Sequence, residues 1–351
     1  MSDVTSSRQW VGVDLHLHRS VICRIDGQGR QVDCVRIDND PTALVAEVVK
    51  AGRAAPVAIE ATYGWYWAVD ALLAAKCEVH LAHPYGMKAM RKRKRVKTDA
   101  RDAHELANLL RLGSLPEAYI APPALRELRE LVRHRRQLVK ACTSVKNGIR
   151  GLLAKHGLRL TVSHLEASTG QGLLDLVELP EASALRLASQ RRLLMVLSNE
   201  IDALDVEIDR RLKNHPGYRN LQHVKGIGPV LAAVFVVEIG DVSRFNTPAQ
   251  LACWAGLTPR HHESDRTVRR GHISKEGSTL VRWAAIEAIQ RSCEPQVQAV
   301  KTDLLARRGK TARNIAKVAA AHRMLDVVFY VLRDGHARLL TTPASSSAAA
   351  A

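Results

Sequence analysis

With 351 residues, 46% of them hydrophobic, the chain is long enough to fill two or three cores, which excludes an intrinsically disordered class. Its 52 lysines and arginines outnumber 35 acids, and a formal charge of +17 steers a polyanion, while 4% aromatics argue against gripping single strands by base stacking. The six cysteines (Cys23, Cys34, Cys77, Cys142, Cys253 and Cys293) have no zinc or disulfide spacing, and no run reaches the ~18 apolar residues of a membrane span. No apolar leader is visible at the start, so the expected setting is a reducing cytoplasm, close to the nucleoid and without membrane partners.

Taken in order, Trp10 to His16 reads as a buried strand carrying one acid, Asp14, and Ser20 to Ile25 and Gln31 to Ile37 read as strands joined through Asp26-Gly27-Gln28-Gly29. Pro41 to Lys50 has helical apolar spacing, Val57 to Glu60 is a short strand ending in an acid, Tyr63 to Ala75 is helical, and Glu78 to Leu81 is a fifth strand. An antiparallel opening followed by β-α-β-α is the element order of a ribonuclease H-like α/β domain.

Next comes a basic run, Arg91, Lys92, Arg93, Lys94, Arg95 and Lys97, ending in two acids. A helix starting near Thr98 puts Asp99 and Asp102 on one face, because residues i and i+3 are neighbours there. Cations of this density attract phosphate, so carboxylates beside them suggest metal chemistry on a nucleic-acid backbone. Asp14 costs several kcal/mol within an apolar strand unless it is neutralised or binds a cation. Bland readings stand beside this: an arginine partner for Asp14, a solvated strand end for Glu60, a helix-start role for Asp99. Spacing and element type together favour convergence of the four acids on magnesium or manganese.

Ala121-Pro122-Pro123 breaks the chain, after which Leu125, Leu128, Leu131, Val132, Leu138, Val139, Val145, Ile149 and Leu152 keep near-helical spacing. The cations Arg133, Arg135, Arg136, Lys140 and Lys146 between them are either a solvated face or contacts to nucleic-acid backbone. Leu194, Leu197, Ile201, Leu204 and Ile208 recur at three and four residues, a seam that fits a coiled coil or an intramolecular helical hairpin.

Further on, Lys225-Gly226-Ile227-Gly228-Pro229 resembles a helix-hairpin-helix turn, in which glycines bring backbone N–H groups up to a phosphate; it also reads as a plain helix connection. Phe245 to Thr258 is helix and turn. Ser264 lies in a loop among His261, His262, Glu263, Arg266, Arg269 and Arg270, a cationic setting that suits attack on a phosphodiester, although a solvated serine is the simpler reading. Ser274 and Ser278 are expected as caps, the latter ahead of a helix from Leu280 to Ile289. Thr341 to Ala351 is low-complexity and expected to be disordered.

Val11-Gly-Val-Asp14, Ile59-Glu60-Ala-Thr-Tyr-Gly64 and Lys97-Thr-Asp99-Ala-Arg-Asp102-Ala103 closely resemble the signature of the DEDD insertion-sequence transposases, the group that includes the Piv-type invertases. The resemblance extends from about Trp10 to about Ala320. It implies a RuvC-like metal site of Asp14, Glu60, Asp99 and Asp102. Between the brackets Gly256-Leu-Thr-Pro259 and Gly271-His-Ile-Ser-Lys-Glu-Gly277 it implies a nucleophilic serine, here Ser264, although relatives commonly follow that serine with glycine and this chain has Asp265.

The organisation expected is a metal domain over 8–115, a helical coiled-coil linker over 116–215 that mediates subunit association, a small all-α C-terminal domain over 216–335 and a disordered tail over 336–351. The function implied is a DNA transposase or site-specific recombinase. Its partners would be double-stranded DNA, a structured guide RNA of the kind related elements encode, and further copies of the chain in a homodimer or homotetramer. Two other classes remain: a RuvC-like two-metal, structure-selective nuclease in which Ser264 is incidental, and a non-catalytic nucleic-acid-binding scaffold.

Overall fold

A computed structural model of the chain describes residues 8–52, 54–90, 98–264, 267–290 and 293–336, with the backbone alone for 261–262 and 267–270. The basic run from Arg91 to Lys97, together with Asp265, Arg266 and the tail, lies outside the described residues, as do the side chains of His261, His262, Arg269 and Arg270. The chain divides into two compact units, Met1–Ile120 and Ala121–Ala351.

The first unit is built on β1 (Trp10–Leu15), β2 (Arg19–Ile25), β3 (Gln31–Asp38), α1 (Pro41–Val49), β4 (Pro56–Glu60), α2 (Trp65–Ala74), β5 (Glu78–Ala82), α3 (Pro84–Met90), α4 (Asp99–Arg111) and β6 (Glu117–Ala118). The strands form one sheet in the order β3-β2-β1-β4-β5-β6. β1 pairs antiparallel with β2 and parallel with β4, and β4 pairs parallel with β5. This mixed α/β sheet is compatible with the ribonuclease H-like expectation.

Period-two alternation assigns the faces. Val11, Val13, Leu15, Val57 and Ile59 pack with Leu44 and Val48 of α1 and Ala68, Val69 and Leu72 of α2. The intervening residues Gly12, Asp14, Ala58 and Glu60 therefore face the other way. That second face is covered by α4: Leu106 packs with Ala58, and Ala103 with Val21 and Cys23. The approach there is close enough that a Cβ on Gly12 would stand 1.9 Å from the Ala103 carbonyl oxygen and 2.7 Å from the Ala107 nitrogen. Gly12 thus lets helix backbone lie on strand backbone two residues before the acid.

The second unit begins with α5 (Pro123–Lys155), α6 (Ser168–Asp175) and α7 (Glu181–Leu212). α5 and α7 run antiparallel, with Arg135 held by Asp205 and Gly148 against Gln190. The seam that fits a coiled coil is therefore satisfied within the chain: Leu194, Leu197 and Ile201 pack with Cys142, Ile149, Leu152 and Leu153. Ile208 and Leu204 join the core of the following helices instead, and residues 121–215 lie in the same compact unit as the C-terminal residues.

Those residues form α8 (Pro216–Gln222), α9 (Pro229–Ile239), α10 (Pro248–Trp254), β7 (Pro259–Ser264), β8 (Thr267–Ile273), α11 (Thr279–Ala288), α12 (Pro295–Arg308) and α13 (Arg313–Asp334). The all-α expectation fails here, because β7 and β8 make an antiparallel hairpin across the stretch expected as a loop. Charged and histidine side chains on both strands conceal the alternation that identifies a strand. α9 is apolar all round and buried from Ala232 to Ile239, as befits a central helix. Its carboxyl end is closed by arginines: Arg129 donates to the carbonyls of Val237 and Glu238, and Arg133 pairs with the Glu238 carboxylate at 2.7 Å. Among the described residues no helix is long and apolar enough to cross a membrane.

Candidate metal centre and candidate nucleophile

Asp14 ends the second face of β1 and Asp99 begins α4, with Thr98 as N-cap accepting from the Arg101 N–H. One turn on, Asp102 is buried beneath Asp99, and its field, like that of Asp99, acts on Asp14. Burial is the largest influence on Asp14 and pushes its carboxyl above the ordinary value, the two aspartates add to it, and His16 opposes it.

From sequence alone His16 is no more than the end of a strand. It stands just past β1, and its Nε2 lies 3.1 Å from Asp14 Oδ2 and 3.5 Å from Asp99 Oδ1. One donor atom from each of Asp14, His16 and Asp99 falls within 4.8 Å of the others. The local signal is the spacing Asp14-x-His16, but a histidine at a strand end is too common to separate a ligand from a surface residue.

Glu60 ends β4 one position beyond the Val13–Ile59 pairing, beside Asp14 on the same face. Among the described residues it is not one of the three whose donors converge. Asp14, Asp99 and Asp102 are thus brought to one place, and Glu60 is on the adjacent strand end. Two hard carboxylate oxygens and an imidazole nitrogen, around an acid whose charge burial penalises, fit a divalent cation.

In the second unit, Ser264 is exposed at the last position of β7, opposite Thr267 and farthest from the base of the β7–β8 hairpin. The base of the hairpin is tightly fixed. Ser274 N–H donates to the Thr258 carbonyl and Lys275 N–H to that of Gly256, at 3.0 and 3.2 Å. Gly256 and Gly277 both have positive φ, +70° and +74°, and a Cβ on either would strike backbone, Glu276 or Trp254. The two brackets around the serine therefore pack on one another and project the strands that carry it. Ser278 caps α11, accepting from the Val281 N–H at 3.2 Å. Ser274 caps no helix; its hydroxyl lies in a turn, within reach of the Glu276 N–H.

The expected nucleic-acid contacts divide. Lys140 and Lys225 are exposed, and Gly226, with φ +98°, turns the chain between α8 and α9. Gly228 precedes α9, whose first turn has no side-chain cap. Arg135 and Lys146 have internal partners that periodicity does not reveal, a two-pronged pair with Asp205 and a 2.7 Å ion pair with Glu166, and Arg136 lies over the Trp283 ring at 4.2 Å. Arg308, Lys310 and Arg313, exposed around the start of α13, form a further basic group that no sequence motif marks.

Comparison with known proteins bears on the same stretches. Residues 11–157 match the DEDD transposase model of the IS110 group, described as "Transposase", and residues 218–302 match "Transposase IS116/IS110/IS902 family". A "Probable family 20 transposase" of Pseudomonas aeruginosa is 30% identical over 334 residues, covering 92% of each chain. The transposase for insertion sequence element IS1111A of Coxiella burnetii is 24% identical, covering 92% of this chain and 89% of that one. The pilin gene-inverting protein of Moraxella lacunata is 31% identical over 147 residues, covering 39% of this chain and 44% of its own. With these matches along nearly all of its length, the chain belongs to the IS110/IS116 family of insertion-sequence transposases.

Proposed function

We propose that the protein recombines DNA by a composite mechanism in which Asp14, Glu60, Asp99 and Asp102 hold magnesium or manganese and Ser264 is the nucleophile. The observation that carries the metal half is the buried Asp14 carboxyl meeting two acids of α4 with its charge penalised by burial. A bound divalent ion would lower the cost of charge on the attacking and leaving oxygens of phosphoryl transfer. Ser264 Oγ gives up its proton and forms the new bond to phosphorus as a backbone P–O bond breaks; the released DNA oxygen takes a proton, leaves as a hydroxyl and later reverses the exchange on another strand. Exposure at a strand end, on a rigidly based hairpin, supports this role because the serine must reach a duplex without carrying its core along.

Lys140, Lys225, Gly226, Gly228 and the run from Arg91 to Lys97 are proposed to contact phosphate, with Arg266, Arg269 and Arg270 near the reacting group. Duplex DNA, a structured guide RNA and further copies of the chain are the partners proposed. The test is incubation with DNA bearing the element's ends, followed by denaturation and mass spectrometry of any DNA-linked peptide. A phosphonucleotide on Ser264 supports recombination. Metal-dependent cleavage with no covalent protein–DNA species would make the protein a two-metal nuclease, and binding without cleavage would make it a scaffold.

A further inference from the structure

The metal reading proposed above assigns carboxylates alone, and the inference here rests on that reading. We propose that His16 is a ligand of the same ion through Nε2, which makes the site a mixed nitrogen–oxygen centre that prefers manganese to magnesium.

Three observations carry it. The first is the spacing. Neighbouring ligands on an octahedral ion with bonds of about 2.1 Å stand roughly 3 Å apart. His16 Nε2 lies 3.1 Å from an oxygen of Asp14 and 3.5 Å from one of Asp99, so a single nitrogen is at ligand-edge distance from both acids at once.

The second is how the residue is held. The His16 N–H donates to the Arg19 carbonyl at 3.1 Å, and Asn39 Nδ2 donates to the carbonyls of His16 and Leu17 at 2.7 and 3.1 Å. Asn39 is itself fixed by the hydroxyl of the buried Ser20 at 2.6 Å, and its N–H donates to the His18 carbonyl at 3.0 Å. A histidine on a loose turn would meet the two acids only in passing. Here the turn between β1 and β2 is tied to the start of α1, so the ring is presented from a defined backbone position.

The third is the division of the cluster between elements. Asp14 and His16 come from one strand and its exit, while Asp99 comes from the first turn of α4. The three donors converge only because α4 lies against Gly12. An imidazole that merely neutralised Asp14 would not need the second acid at a comparable distance.

Ligand chemistry then sets the preference. Magnesium favours oxygen and keeps its waters, whereas an imidazole nitrogen suits transition ions, so exchanging one oxygen for nitrogen favours manganese.

The experiment uses the full chain with Mn2+ alone, read by electron spin-echo modulation and by titration of free Mn2+. The wild-type protein should show imidazole-type nitrogen coupling to bound Mn2+. Asp14→Asn should lose the bound ion, which locates it, and His16→Ala should lose the nitrogen coupling. His16→Ala should also weaken Mn2+ binding about tenfold while changing the Mg2+ affinity, obtained by competition, less than about threefold. If His16→Ala does not fold, His16→Gln takes its place and should lose the nitrogen coupling in the same way. Mn2+ held in an Asp14-dependent manner without nitrogen coupling overturns the role of His16 and leaves the carboxylate site standing. Absence of any Asp14-dependent Mn2+ binding overturns the metal reading, and this inference with it.

Discussion

Asp14 is held in the protein at an energetic disadvantage, since burial opposes its charge more than His16 relieves it. The sign of the pH effect follows from that. A carboxyl raised above its unfolded value costs metal-free stability at neutral pH, and the cost disappears as pH falls through the raised value towards 3.8. Asp14→Asn should therefore leave metal-free thermal stability equal to or above wild type at pH 7, with any advantage shrinking at pH 4, as followed by melting temperature. The same variant, like Glu60→Gln, Asp99→Asn or Asp102→Asn, should abolish strand exchange. Full recombination by any of them would remove that residue from the ligand set. At the other centre, Ser264→Ala should eliminate recombination and every covalent complex while DNA affinity stays near wild type, because one hydroxyl adds little to a backbone-dominated interface. The control is Ser278→Ala, which should cost about 1 kcal/mol through removal of a cap and still form the adduct. An adduct from Ser264→Ala at the wild-type rate would transfer the chemistry elsewhere.

At the scale of elements, β1 and α4 meet backbone to backbone at Gly12. Gly12→Ala must displace the helix backbone, and overpacking of this kind costs about 1–3 kcal/mol. Because α4 carries Asp99 and Asp102 while β1 carries Asp14, the displacement also separates the proposed ligands; stability to chemical denaturation and Mn2+ affinity should fall together. Reduced stability with unchanged Mn2+ affinity would mean that the α4 acids are not ligands. Much of the first unit is legible in the sequence, since apolar runs place Asp14 and Glu60 on two strands and i, i+3 spacing places Asp99 and Asp102 together, while the shared face of Asp14 and Glu60 comes from the β1–β4 register. His16 is not, because its role depends on a turn fixed by Asn39, a long-range hydrogen bond that no local pattern encodes. The β7–β8 hairpin is hidden for another reason: its sequence, with His261, His262, Arg269 and Arg270, offers charge where a strand ordinarily shows apolar alternation. The partners of Arg135 and Lys146 are hidden likewise, being acids on other segments.

At the scale of the whole molecule, a charge of +17 makes affinity for DNA depend on salt. Neutralising three cations between Arg91 and Lys97 should flatten the log–log salt slope by about 0.9 for each duplex phosphate that the variant no longer neutralises, with sequence choice unchanged. An unaltered slope would mean that the run does not touch the backbone.

The serine and the acids need not come from one polypeptide. α7 satisfies its inner seam within the chain, yet Leu185, Leu193, Val196 and Val206 are 66%, 50%, 56% and 71% exposed along its outer side, which supports association with a second copy. If the serine of one subunit acts with the acids of another, two inactive proteins should rescue each other. Ser264→Ala supplies intact acids and Asp14→Asn an intact serine. Co-folded in equal amounts, they should recover roughly a quarter of wild-type covalent adduct, since half of the dimers are mixed and one of two sites in each is whole. The adduct should lie only on the Asp14→Asn chain, which an isotope label distinguishes in the mass spectrum. Polar replacement of the four exposed α7 residues should lower the oligomeric state seen by sedimentation and abolish the rescue. Sedimentation as a mixed oligomer without any adduct would mean that serine and acids act within one chain.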